Sequence, residues 1–470
     1  MTSFATEIGK KYGSQNPRQK FLSESLIKNV IVNCALPVSL VDNPHFRQFL
    51  EDIDPKYTPP CRQTVTASFL PQHLTEKKAA LHDLLQKCND VALTTDAWTD
   101  RRSHAFLGVT VHTFINGSSS SKLLAFRSFP RQHTGQRVAD ELEAIIAEYD
   151  LQQKLRFIVS DNASNMKLAM NILFDTDDDV QVNMLDNYID DPSLWQDFDE
   201  HDAAVMESHA VNLMARRIPC FAHSLQLVIR DGLQAVGLAK RALAKCSKLS
   251  SLVHTSSLFR SAFEGVFGRG RSIPAANDMR WNSTLHQLKA IIDLDHNKLA
   301  QLLRETTHDN LLLSATDLQQ IQELVDILEP FAEATDMTQG DSTITVSCVV
   351  PVVLSLRKML REKVGQVRSF QPLVRALLAS LEDRFNDILK KLDIETTVTV
   401  KARVLSFDDD VFMMAAALDP KFAFHWLQDH PGDVQHQEAL RQKITGFLKF
   451  HLYQNSLSLC NRLVVVDLHN

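Results

Sequence analysis

The sequence predicts a small mixed α/β core, with helices ahead of it and a long helical run behind it. Three observations carry that reading. Between Cys88 and Val91 the apolar pattern changes from a helical stripe to short runs rich in β-branched residues, and such periodicity is the primary signal of element type. The order that follows is three strands, a helix, a strand and a helix, which suits a mixed sheet covered by helices. From Ile218 onward nearly every segment reads helical.

Taken in order, Leu26, Ile27, Val30, Ile31 and Cys34 form a helical stripe that ends before Pro37, because a proline disfavours helix in the residue it follows. Phe46 to Ile53 reads as a second short helix with Asn43 as its N-cap. Asp54 to Pro60 is a stiff, extended breaker. Pro71 to Cys88 turns helical again and closes at Asn89-Asp90. Val91 to Thr95 is then a short apolar run ending at Asp96. Ala105 to Ile115 is rich in β-branched and aromatic residues, Asn116-Gly117 signals a hairpin turn, and Leu123 to Phe129 returns antiparallel. Val138, Leu142, Ile145, Ile146 and Tyr149 mark one face of a helix. Arg156 to Ser160 is a buried type of strand ending at Asp161, with a helix through Met166 and Met170 beyond it.

Asp175 to Asp202 is crowded with Asp and poor in aliphatics. Such self-repelling charge buries too little surface to offset chain entropy, so this stretch is expected to be a disordered acidic loop. The helical run then covers Leu225 to Leu233, Leu238 to Leu252, Thr284 to Ile292, Leu318 to Thr335, Val346 to Val364, Pro372 to Leu392 and Val411 to Leu418. The expected divisions are an N-terminal helical region 1–89, a sheet core 90–174, the acidic loop 175–207, a helical domain 208–455 and a tail 456–470.

The chain has 470 residues, 44% hydrophobic and 23% charged, an ordinary globular balance. Its formal net charge is -7, so any nucleic-acid surface has to be a local basic patch working against a mildly repulsive global field. Seven cysteines are scattered with no C-x-x-C pair, which signals neither a disulfide framework nor a zinc finger and points to a reducing compartment. The first residues, MTSFATEIGKKYG, contain no apolar signal core. No apolar run reaches membrane-spanning length. The expectation is a soluble intracellular protein with no membrane partner.

Asp96 and Asp161 each follow an apolar strand. If those strands are neighbours, the two carboxylates meet at the rim of the sheet, where hard oxygen ligands suit Mg²⁺ with positions left for water and a phosphate oxygen. Two such ions, about 4 Å apart, stabilise the attacking and leaving oxygens of a phosphoryl displacement. The alternative is local: Asp96 caps a turn before Trp98, and Asp161 N-caps the helix that begins near Asn162.

The wording of five segments narrows the choice. LTTDAWTD (Leu93 to Asp100) followed by LGVTVHTF resembles the first-strand motif of hAT-superfamily transposases, and IVSDNASNM (Ile158 to Met166) their fourth-strand motif. IPCFAHSLQLVIRDGL (Ile218 to Leu233) is similar to their Cys-x-x-His motif. DMRWNSTLHQL (Asp278 to Leu288) is similar to their Arg-Trp motif, and AAALDPKF (Ala415 to Phe422) to a further landmark. The segments LPVSLVDNPHFRQFL and DPKYTPPCRQT match the helical region ahead of the core. Among relatives the likeness is greatest to zinc finger BED domain-containing proteins. The matches run in family order from about Leu36 to Phe422.

The resemblance implies a ribonuclease H-like mixed sheet interrupted by a large helical insertion. It puts Asp96 and Asp161 at the first two metal-binding acids, with Mg²⁺ as the cofactor if that site is retained. Cys220 and His223 fall at the Cys-x-x-His positions, and Trp281 at that of the tryptophan associated with a flipped base. An aromatic face there would replace lost stacking, and Arg280 would contact a phosphate or stack. Each residue also has a plainer role. Cys220 and His223 are two ligands where a structural zinc site takes four, and Trp281 would serve equally as a core anchor between helices.

The sequence departs from the family pattern in three places. No BED zinc finger motif precedes the core, no Ser-Glu-Arg-x-Phe-Ser type motif with the third acid follows Phe422, and the chain closes on NRLVVVDLHN without the core's last strand and helix or the dimerisation region. The sheet core is therefore expected to be incomplete at its C-terminus, and the third catalytic acid is not found. The leading expectation is a domesticated or truncated hAT transposase-like nuclear protein, binding nucleic acid or protein partners or itself, without transposition activity. One alternative is an active Mg²⁺-dependent polynucleotidyl transferase that draws its third acid from Asp408, Asp409 or Asp410. Another is a helical protein-interaction scaffold. The cytoplasm is the alternative location.

Overall fold

The computed structural model describes residues 10–100, 104–129, 135–161, 166, 169–170, 173, 216–234, 240–275, 281–338, 345–396 and 407–454. The chain divides into two compact units, Met1–Lys87 and Cys88–Asn470.

The first unit is helical. Helix α1 (Pro17–Ser25) is capped by Asn16, whose side chain accepts the Arg18 amide N–H at 2.8 Å. It continues without interruption into a wider π turn over Leu26–Val32. Asn43 caps α2 (Pro44–Ile53) as the sequence predicts, accepting the amides of His45 and Phe46 at 3.0 and 3.1 Å. Pro44 occupies the first helical position, where a missing N–H costs nothing. After a second π turn, α3 runs over Leu70–Gln86. Leu26, Ile27, Ile31, Val41 and Val65 form the core of this unit.

The second unit is built on a five-stranded mixed sheet in the order β3-β2-β1-β4-β5. Its strands are β1 (Val91–Thr99), β2 (Ala105–Ile115), β3 (Ser118–Phe129), β4 (Leu155–Ser160) and β5 (Arg216–Pro219). The β2–β3 hairpin turns at Asn116-Gly117, both with positive φ (52° and 78°), the backbone such a tight turn demands. Burial alternates strictly along β2, from Ala105 inward and Phe106 outward, so each face has its own residue set. Between β3 and β4 lies α4 (Gly135–Glu148), with Val138, Leu142, Ile145 and Ile146 buried. Arg127 of β3 binds Glu148 at 2.9 Å, and the Tyr149 hydroxyl donates to the Leu124 carbonyl at 3.3 Å. Both contacts tie the end of α4 to β3. Met166, Ala169, Met170 and Leu173 are helical and buried, in keeping with the helix expected after Asp161.

Two differences from the sequence reading matter. Strand β1 continues past Thr95 to Thr99, because β2 goes on pairing with it as far as Ala105. The residues Arg216–Pro219 form a fifth strand parallel to β4, where the sequence reading gives a sheet of four strands and sees helix from Ile218. The helical run begins at Phe221 instead.

That run comprises α5 (Phe221–Gln234), α6 (Lys240–Thr255), α7 (Ser257–Phe267), α8 (Trp281–Ile292), α9 (His296–Glu305), α10 (Ala315–Thr338), α11 (Val349–Lys363), α12 (Gln371–Arg384), α13 (Asn386–Lys391), α14 (Val411–Leu418) and α15 (Val434–Gln454). The single helix expected over Pro372 to Leu392 breaks at Phe385, whose φ of -109° leaves the helical region while its ring is fully buried. One continuous apolar core joins these helices, and Phe157 and Val159 of β4 pack against it. Sheet and helices thus share their interior. Inter-helix ion pairs pin the bundle: Lys245 to Asp317 at 2.6 Å, Arg384 to Asp231 at 2.8 Å and the buried Arg357 to Glu382 at 2.8 Å. Among the described residues no helix is long and apolar enough to cross a membrane. The acidic stretch 175–207 and the tail 456–470 lie outside the described residues.

Candidate functional site

The lower end of the β1–β4 pair is clamped. The Arg156 Nε donates to the buried Asp90 carboxylate at 2.5 Å, and the Val91 amide donates to the Lys154 carbonyl at 2.9 Å. From there the strands run parallel, Ala92 opposite Phe157 through to Thr95 opposite Ser160. Asp96 and Asp161 are the first residues beyond that last pair. One strand position in register fixes them both at the same rim, because parallel neighbours advance together.

The element that closes this rim is the β5–α5 junction. Pro219 ends β5, and the Cys220 amide donates to the Ser160 carbonyl at 2.8 Å. The Phe221 ring, packed on Phe385 at 5.3 Å, anchors the start of α5 in the helical core. Cys220 is thereby held beside the end of β4. Burial pushes this thiol up in pKa, and the charges of Asp161 and Asp96 add to the effect, against the amides of His223 and Ala222. The thiol is therefore kept protonated at neutral pH. The strand register brings Asp96 and Asp161 to one rim, and Cys220 begins the element beside it.

Arg217, in β5, completes the knot. Its Nε donates to the Ser160 hydroxyl at 2.9 Å, and its Nη2 donates to the Asp161 carbonyl at 2.8 Å. The Ser160 hydroxyl donates to the same carbonyl at 3.3 Å. Burial pushes the guanidinium down to about 10, with the Asp161 charge pulling it back up. Its Nη1 is sealed from solvent with no hydrogen-bond partner among the described residues, an arrangement that costs about 1–3 kcal/mol in stability.

On the other side of Asp96 the sheet face is open. Asp96 is exposed and stands opposite Gly108, and Trp98 stands opposite Phe106. The Trp98 ring leans over Gly108, where an added Cβ would meet it at 3.0 Å. The ring reaches Phe106 at 6.0 Å and Phe126 at 5.7 Å. Farther along this face His112 bridges Thr94 at 3.0 Å and Ser121 at 2.9 Å, and burial holds its imidazole below the usual pKa.

The remaining sequence candidates fall elsewhere. Arg280 lies outside the described residues, as do residues 162–165, on which the helix-capping reading of Asp161 depends. Trp281 opens α8. His223 is in the first turn of α5, three residues past Cys220. Asp408 and Asp410 are held by Lys391 at 3.1 and 2.6 Å. Asp409 accepts from Arg216 at 2.8 Å and from the Val411 amide at 2.9 Å. Arg216 stands opposite Phe157, four strand positions or roughly 13 Å short of Asp161 along the sheet. Among the described residues no group of three or more His, Cys, Asp and Glu is placed to hold a metal ion. Two carboxylates at one rim nonetheless fit Mg²⁺, which is commonly held by one or two carboxylates together with waters and substrate phosphates.

Arg217 and Ser160 are the residues that sequence reasoning misses. The doubled arginine before the Ile-Pro-Cys segment is the signal that could have flagged them, since one charge there points inward.

Comparison with known proteins fits an RNase-like domain over part of the sheet. The ZBED1 RNase-like domain family matches residues 94–185. A Zea mays protein named for an AC transposase is 22% identical over 65% of this chain and 35% of its own length. The human zinc finger BED domain-containing protein 4 is 18% identical over 93% of this chain and 33% of its own length. A Talaromyces stipitatus protein named for the transcriptional regulator tpeD is 22% identical over 68% of this chain and 38% of its own length. The chain thus spans roughly a third of the length of the curated relatives it matches.

Proposed function

Starting from a chain that is hAT transposase-like and BED-protein-like, with an RNase-like domain, we propose that it is a transposase-derived DNA-binding protein of the nucleus that no longer cuts DNA. On this reading the helices after β5 are an insertion into the RNase-like core. The observation that supports this reading is the register that brings Asp96 and Asp161 to one rim, with no group of three or more potential ligands placed to hold a metal ion among the described residues.

Asp96 and Asp161 would hold Mg²⁺, which when bound supplies neutralising charge at a phosphate oxygen. The chain's own residues do the rest. Arg217 fixes the main chain at Asp161, and the neutral Cys220 thiol adds no further negative charge. Two carboxylates support cation and phosphate binding, whereas paired ions for cleavage need further ligands to fix their spacing.

Purified protein supplied with Mg²⁺ or Mn²⁺ should leave hairpin and nicked DNA uncut while binding both with an affinity that falls as salt rises. Cleavage that disappears in Asp96→Asn would overturn the loss of activity. Absence of salt-sensitive binding would overturn the DNA-binding role.

A further inference from the structure

The two arginines that open β5 have different fates. Arg216 is exposed and is matched by Asp409 at 2.8 Å. Arg217 points to the other face, as alternation along a strand requires. There it donates to the Ser160 hydroxyl at 2.9 Å and to the Asp161 carbonyl at 2.8 Å. Both acceptors are uncharged oxygens, so these bonds locate the guanidinium without neutralising it. Its Nη1 is sealed from solvent. A guanidinium stays protonated in a protein, and a charge shielded from water is felt farther than an exposed one. Arg217 is therefore a fixed positive charge at the place where β4 ends.

What it acts on follows from the register. Asp161 bears its carboxylate on the same residue whose carbonyl Arg217 holds, and Asp96 comes to that rim from β1. Bond lengths put an ion on the Asp161 carboxylate within about 10 Å of the guanidinium. At that range, with a dielectric between those of water and of a protein surface, the repulsion weakens the binding of a divalent cation about tenfold.

The balance of charge then changes character. Two carboxylates alone cancel one divalent ion and leave a neutral site. With Arg217 beside them, the loaded rim keeps one positive charge, the complement of a phosphodiester monoanion. The sealed, unpartnered Nη1 also acquires a reason. A glutamine amide could bond the end of β4 without burying a charge, so the charge itself is what this position gains.

We propose that Arg217 is the resident cation of this rim: it loosens the hold of Asp96 and Asp161 on a divalent ion and gives the loaded rim the net positive charge that draws in a phosphodiester. This rests on the reading that the two acids hold Mg²⁺. It adds which residue sets the strength of that hold and which class of anion follows the ion. Arg217 acts through its field and is a ligand to neither.

The test titrates Mn²⁺ into the full chain, reading free Mn²⁺ by electron paramagnetic resonance. Calorimetry then follows the dinucleotide TpT, which carries a single phosphodiester, into the Mn²⁺-saturated protein. Arg217→Gln, Arg217→Met and Arg217→Lys are compared; all three lack the planar fork and only the last keeps a charge. The Gln and Met variants should bind Mn²⁺ about tenfold more tightly than the Lys variant, and TpT about threefold more weakly. A purely structural role would weaken both ligands together, because a displaced Asp161 serves neither. Affinities that move in the same direction, or Gln and Met variants that match the Lys variant, would overturn the proposal while leaving the metal site in place. A native chain that binds no Mn²⁺, or an Asp96→Asn chain that binds it equally well, would overturn the metal reading and this inference with it. Circular dichroism confirms the fold of each variant, and with two uncharged variants the comparison survives the loss of one.

Discussion

Arg217 carries a cost that the fold alone does not require. A guanidinium with one sealed, unpartnered nitrogen sits in a four-residue strand, and the two nitrogens that are used both serve the end of β4. An ammonium cannot reproduce that planar fork, so lysine is not an equivalent here. Arg217→Gln and Arg217→Lys should each destabilise the protein by about 1–3 kcal/mol, since the Ser160 hydroxyl loses its donor and the Asp161 carbonyl the shorter of its two. Denaturant titration measures this, and full stability in Arg217→Lys would show that charge alone suffices. The same residue illustrates what sequence hides. Asp96 and Asp161 can be found from strand ends and motif wording, but the inward turn of Arg217 depends on pairing with β4, which no local pattern reports. Trp98 over Gly108 is hidden for the same reason, because only the β1–β2 register brings them together.

At the scale of elements, close approach decides stability. Gly232 in α5 lies against α12, where an added Cβ would fall 2.4 Å from Leu377 Cδ2 and 2.6 Å from its Cγ. Alanine in a helix is favoured over glycine by roughly 1 kcal/mol, but overpacking a core costs about 1–3 kcal/mol. The clash should win. Gly232→Ala is expected to lower the melting temperature, and combining it with Leu377→Ala should cost less than the sum of the two single changes. A Gly232→Ala protein as stable as the native one would mean that α5 and α12 are farther apart. Legibility differs by element for equally physical reasons. The strand Ala105–Ile115 is read to the residue because burial alternates along it and Asn116-Gly117 ends it. Arg216–Pro219 is not, because four residues bounded by arginines and a proline carry no period, and proline argues against an interior strand. The start of α5 is displaced from the sequence reading by that same short strand.

At the scale of the whole molecule, buried titrating groups give stability a direction in pH. Burial holds His112 and His430 below their usual values; for His430 the bond to the Leu392 carbonyl opposes this, while His436 and Arg357 reinforce it. Burial pushes Asp231 and Asp317 up, but Arg384 and Ser380 for the first, and Lys245 and Ser314 for the second, outweigh it and leave both below the usual carboxylate range. In each case the unfolded chain takes up protons before the folded one. Stability is therefore full above the unfolded values and is lost as pH falls, first below about 6.5 for the histidines and then below about 3.9 for the aspartates. A melting temperature that declines from pH 7 to pH 5 and drops more steeply below pH 4 is expected. A flat or rising profile over that range would contradict the burial of these groups.

The wider account depends on two carboxylates from neighbouring parallel strands meeting at one rim. The most direct measurement is an anomalous diffraction map from crystals soaked in Mn²⁺, for the native protein and Asp161→Asn. The account predicts a single peak within coordination distance of both Asp96 and Asp161 that is lost in the variant. A map with no peak there, or with the two carboxylates facing away from each other, would contradict it.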